Sequence, residues 1–244
     1  MCTVILLLRP GHCWPVLIAA NRDERLDRPW DAPGRHWPKQ DNVVAGRDRL
    51  GGGTWMAMRG GLVAAVLNRP GSLGPAPGKL SRGGLPLLAL EHDSAAAAAQ
   101  ALQTLDGAAY RSFNMIVADR SSAHFIHGLG QGPPQGWVLP PGCHVVTAHD
   151  PNDPESLRAQ AHLPRFAVAP APDPAHGEWS AWQALLANRS GPRMAALNVP
   201  PQDGFGTVCS SLVGLPASGP PVWLFAAGPP DRAAFLPVAL DPPG

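Results

Sequence analysis

Apolar residues in this chain come in short runs, punctuated by proline, glycine and charge. Thr3 to Leu8 is an unbroken apolar run containing β-branched residues, the pattern of a strand buried on both faces. Arg9-Pro10-Gly11 marks a turn, and Val16 to Ala20 is a second run that ends at Asn21-Arg22-Asp23-Glu24. The pair predicts a hairpin. With its midpoint near Gly11 and His12, residue 2 lies across from residue 21 or 22, to within about two positions. Thr54 to Met58 and Leu62 to Leu67, joined by Gly60-Gly61, predict a second hairpin whose open end holds Gly51-Gly52-Gly53 and Asn68.

Further along, Leu85 to Glu91 predicts a helix with Pro86 in its first turn, and Asp93-Ser94 caps an Ala-rich helix over Ala95 to Leu105. Phe113 to Ala118 pairs with His124 to His127, and Cys143 to Ala148 is a further strand. Pro164 to Pro174 reads as a surface connection and Glu178 to Asn188 as a helix. Thr207 to Leu215 and Val222 to Ala227 complete the strands. Blocks of strand alternating with blocks of helix suit an α+β layered domain with mostly antiparallel sheets.

Composition narrows the picture. The 244 residues fit one domain over 1–244, and 27 glycines with 30 prolines imply many turns around a packed core. A net charge of +1 leaves no long-range field for nucleic acid or an anionic membrane. No apolar run approaches the ~20 residues of a transmembrane helix, and the N-terminus lacks the basic start and long apolar core of a signal peptide. Four cysteines without a CxxC suggest a reducing, cytoplasmic setting. Neither a Walker loop nor a GxGxxG is present, and the nine histidines show no recognised zinc spacing, so no metal is assigned.

The candidate chemistry begins at Cys2. Removal of Met1 is expected because cysteine is small, and it leaves a thiol beside a free α-amine. That amine, with a pKa near ~8, is a base able to take the thiol proton, the self-contained pair of an N-terminal nucleophile. The hairpin brings Arg22 and Asp23 close: an Asp orients the amine, and an Arg favours the thiolate. Asn68 and Asn114 are amides suited to an oxyanion. Each has a plainer alternative: a cysteine opening a strand serves as a small apolar residue, Arg22 and Asp23 form an ion pair, Asn68 is a turn residue, and Asn114 belongs to a buried polar network.

These residues fall into a larger set. Met1-Cys2-Thr3, Asn21-Arg22-Asp23-Glu24, Arg28-Pro29, Ala45-Gly46-Arg47-Asp48 and Gly52-Gly53-Thr54-Trp55 together resemble the NRDE family, also called the Transport and Golgi Organisation 2 family. Asn68-Arg69, Ser81-Arg82-Gly83, Phe113-Asn114 and Gly206-Thr207 agree in order. The sequence departs from the pattern at Val208, where an Arg often follows the Gly-Thr, and around Thr147-Ala148-His149. The resemblance implies a four-layer αββα sandwich of the N-terminal nucleophile hydrolase type with Cys2 facing the NRDE segment. It further implies a trafficking protein whose pocket holds haem or an acyl-CoA, with Asn21, Glu24, Arg47, Asp48, Gly53, Thr54 and Trp55 as ligand contacts. Chemistry alone favours the other reading. In it, Cys2, Arg22, Asp23, Asn68 and Asn114 form the catalytic set of an amidohydrolase or acyltransferase.

Overall fold

Two apolar runs separated by a Pro-Gly turn have one economical way to bury their backbone, which is to pair with each other. They do so in the computed structural model, which describes residues 2–240. Strand β1 (Thr3–Leu8) runs antiparallel to β2 (Val16–Arg25), with Thr3 opposite Asn21 and Leu8 opposite Val16. Strand β2 runs five residues past its apolar part, so the whole Asn21-Arg22-Asp23-Glu24 segment is strand.

The chain divides into two compact units. The first comprises residues 2–27 and 141–238, and the second comprises residues 28–140 with 239–240. The second unit holds a seven-stranded antiparallel meander in chain order: β3 (Trp30–Gly34), β4 (Val44–Asp48), β5 (Met56–Arg59), β6 (Leu62–Asn68), β7 (Phe113–Ala118), β8 (Ala123–Gly128) and β9 (Gln135–Val138). Helices α1 (Leu85–Ala89) and α2 (Ala95–Leu102) cover one face. In α2 the buried positions are Ala95, Ala98, Ala99 and Leu102, an apolar stripe at helical spacing, and the Ser94 hydroxyl accepts from Ala97 N at 3.2 Å as its cap. The stripe meets Phe113, Met115 and Val117, alternate residues of β7.

The first unit holds a six-stranded antiparallel sheet in the order β10-β1-β2-β11-β12-β13. Its later strands are β10 (Gly142–Val146), β11 (Phe205–Leu215), β12 (Val222–Ala226) and β13 (Phe235–Pro237). Helices α3 (Leu157–Val168) and α4 (Ser180–Leu186) pack on one face, where Phe166, Trp182 and Leu186 meet Ile5, Leu17, Ala19 and Leu212.

Helix α3 corrects the expected surface connection from Pro164, because Pro164 lies inside the helix. A mid-helix proline costs about 3 kcal/mol, but Ala159, His162 and Phe166 are buried at helical spacing and outweigh it. Strands β3 and β4 were not expected. The first carries Pro33 at the edge of its sheet, where a missing N–H is tolerated, and the second carries Gly46 and charges. Among the described residues no helix is long and apolar enough to cross a membrane.

Candidate functional site

The centre of the first sheet is unusually polar. Directly paired residues of an antiparallel ladder share a face. Thr3 pairs with Asn21, Asn21 with Ser210, and Asp23 with Thr207. These side chains lie on the face covered by α3 and α4. Arg22 is paired with Cys209, and continuing the register one residue beyond Thr3 sets Cys2 opposite Arg22, so alternation gives these three the other face. A bulge at Val208 separates Thr207 from Cys209.

On the helix-covered face the polar side chains of β1, β2 and β11 bond to one another and to α3 and α4. The Asn21 amide donates to Leu186 O at 3.1 Å and Leu197 O at 3.0 Å, and its Oδ1 accepts from Ser210 Oγ at 2.6 Å. Asp23 has its carboxylate wholly inaccessible to solvent. Oδ2 accepts from Arg158 Nη1 at 2.8 Å, and Oδ1 accepts from the Thr207 hydroxyl at 2.7 Å. The same hydroxyl accepts from Val199 N at 2.7 Å. Arg158 Nη1 also donates to the Thr3 hydroxyl at 2.8 Å. Buried charges persist only when paired and bonded in this way.

On the other face the half-buried Cys2 thiol donates to the backbone carbonyl of Asp23 at 3.7 Å. Its pKa is pushed up, first by burial and then by the Asp23 charge, while the N-terminal charge, the Asp23 carbonyl contact and Arg22 pull it down. Burial pushes the Cys209 thiol up to about 12, which keeps it an inert neighbour. Arg22 is buried and lies 3.7 Å from Glu24 Oε2, and Glu24 Oε1 accepts from Arg25 N at 2.8 Å.

The remaining expected residues lie in the second unit. Asn68 ends β6 opposite Phe113. Asn114 is fully buried in β7, and its Oδ1 accepts from Arg69 Nη1 at 2.6 Å, with His127 Nδ1 3.5 Å from the same nitrogen. Arg47 meets Asp31 at 2.6 Å, and Asp48 meets Arg28 at 2.6 Å while accepting from Leu50 N and Gly51 N. Bonds from Arg49 and then Arg47 hold the Asp31 carboxyl down at about 2. Gly53 O accepts from Asp48 N, and the buried Thr54 bonds the backbone of Met56 while its own N–H donates to Gly83 O. Trp55 stands edge-on to Trp30 and covers Gly46, where a Cβ would lie 2.2 Å from its ring.

The residues that sequence reasoning missed are Arg158, Thr207, Ser210 and Cys209. A signal for the first existed: Ser156 caps a run in which Arg158, Ala159, His162 and Phe166 recur on one helical face. As a donor set for a cation, His149, Asp153 and Glu155 bring their ligand atoms within 4.8 Å of one another on the loop before α3, a surface where carboxylates also stand without an ion.

A profile of the family described as Transport and Golgi organisation 2 matches residues 1–168. The chain belongs to that family. Membership covers the Cys2 and Asn21–Glu24 segments, the loop from Arg47 to Trp55, and the start of α3 up to its last residue. No curated protein matches this Transport and Golgi organisation 2 member. Among solved structures, the Caenorhabditis elegans N-acylethanolamine-hydrolyzing acid amidase (NAAA) ortholog is similar at 16% identity. The match covers 97% of this chain and 100% of that one, with a TM-score of 0.59. That likeness establishes an α+β fold of the N-terminal nucleophile hydrolase type for the chain, as the sequence implied.

Proposed function

We propose that the protein is a cysteine hydrolase of acyl bonds, with Cys2 as nucleophile once Met1 has been removed. The observation that carries this reading is the seat of the thiol, bonded to the Asp23 carbonyl at 3.7 Å on the face that Arg22 shares. The freed α-amine of Cys2, with a pKa of about 8, takes the thiol proton near neutral pH. The thiolate attacks the acyl carbonyl carbon. An S–C bond forms as the C–N or C–S bond to the leaving group breaks, and the ammonium returns its proton to the departing amine or thiol. Water then cleaves the thioester, releasing the acid and restoring the thiol. Arg22 favours the charged sulfur. The fold shared with a protein titled an acid amidase supports an amide or thioester substrate. Four free cysteines support a reducing, cytoplasmic setting.

The test is intact-mass analysis after incubation with a long-chain N-acylethanolamine or a long-chain acyl-CoA. The expected result is a chain lacking Met1, an acyl adduct on Cys2, and free acid as product. Cys2→Ala is expected to lower turnover by at least about a thousandfold. A retained Met1, or a Cys2→Ala variant that turns over normally, would refute the reading.

The alternative is a carrier that holds haem or an acyl-thioester beside Cys2 and the Asn21–Glu24 segment without cleaving it. One observation supports it: burial and the Asp23 charge raise the thiol pKa, which keeps Cys2 protonated near neutral pH. A carrier binds acyl-CoA and releases no acid, or moves the Soret band of added haem.

A further inference from the structure

We infer that Arg158 is a positioning residue for the Cys2 thiol and acts through Asp23; the inference rests on reading Cys2 as the nucleophile. A single nitrogen of Arg158, Nη1, lies 2.8 Å from the Thr3 hydroxyl and 2.8 Å from Asp23 Oδ2. Thr3 is the residue joined to Cys2 at the start of β1. Asp23 supplies the carbonyl that receives the thiol. One guanidinium therefore fixes both strands that flank the sulfur, and it does so from the first turn of α3, on the face opposite the thiol.

The arrangement has an electrostatic side. The charged and titratable groups that bear on Cys2 are the N-terminal amine, Arg22 and Asp23 from β2 and Cys209 from β11. Asp23 opposes a thiolate, and Arg158 is the cation bonded directly to its carboxylate. With Arg158 in place, the Asp23 charge is balanced within 2.8 Å. Without it, the carboxylate faces the thiol across one strand unbalanced, and the sulfur ionises later. Burial of Arg158 and Asp23 limits the screening of the effect by solvent.

The experiment is the pH dependence of iodoacetamide alkylation at Cys2 in the full-length protein, read by mass spectrometry. In Arg158→Met the midpoint is expected to rise by about one pH unit, which slows alkylation at pH 7.5 about tenfold. Arg158→Lys keeps the charge and is expected to keep the wild-type midpoint. The double variant Asp23→Asn/Arg158→Met removes both buried charges, and its midpoint is expected at or below the wild-type value. An unchanged midpoint in Arg158→Met, or a raised one in the double variant, would overturn the inference. The double variant decides the matter if Arg158→Met alone does not fold. A Cys2 inert to alkylation in the wild-type protein removes the nucleophile reading and this inference with it. A reactive Cys2 whose midpoint ignores residue 158 overturns only the role given to Arg158.

Discussion

The two units spend their motif residues in opposite ways. In the first, Asn21, Asp23 and Thr207 in the middle of a sheet and Arg158 on α3 are buried, and their bonds run to backbone carbonyls and to one another. In the second, Asp31, Arg47 and Arg49 form ion pairs near the surface, and Gly46, Gly53 and Trp55 shape a loop by close packing. Removing charges from water costs several kcal/mol per ion, so the buried cluster is a poor way to gain stability. It is a good way to fix atoms in place. The exposed pairs gain little and are screened by salt. The contrast separates a part of the sequence that fixes the strands beside the Cys2 sulfur from a part that builds a loop.

The largest effect is expected where the buried cluster is broken on one side. Asp23→Ala leaves the Arg158 guanidinium buried without its carboxylate and removes the acceptor of Thr207. Urea unfolding should show a loss of about 3–5 kcal/mol, and a loss under 1 kcal/mol would place Asp23 with the weak surface pairs. An intermediate effect is expected from the loop. A Cβ on Gly53 would lie 2.4 Å from the carbonyl carbon of Gly83, a backbone atom that cannot rotate aside. Gly53→Ala should lower stability by about 1–3 kcal/mol, and an unchanged urea midpoint would show that the loop yields freely.

The smallest effect concerns Asp31. Its carboxyl sits at about 2 in the folded protein, held first by Arg49 and then by Arg47, against ~3.9 in an unfolded chain. A depressed carboxylate adds stability that is present above pH ~4 and lost as pH falls through about 2. In Asp31→Asn that part of the acid-induced fall in urea midpoint should vanish, and the salt dependence at pH 7 should flatten. An identical acid limb in both proteins would remove the pair from the account.

Much of the fold was legible because apolar runs and turn residues agree. Thr3–Leu8 and Phe113–Ala118 are strands with the expected ends, and Ser94 caps the helix that alanine favours. The reading failed where a local signal was overruled. Pro164 hid α3, although the buried stripe around Phe166 pays for the broken bond. Pro33 and Gly46 hid β3 and β4. The approach of Cys2 to residues 22 and 23 followed from hairpin register, a local property. The partners Arg158 and Thr207 stand 135 and 184 residues from Asp23, and no pattern near Asp23 announces them.

The bulge at Val208 has a further consequence. Thr207 and Ser210 are three positions apart, so simple alternation would send them to opposite sides. The additional residue resets the phase, and both reach the helix side, one to Asp23 and one to Asn21. A one-residue deletion at Val208 would leave a regular ladder that still sets Thr207 opposite Asp23, whereas the same strand straightened with Val208 in place would turn Thr207 away from that carboxylate.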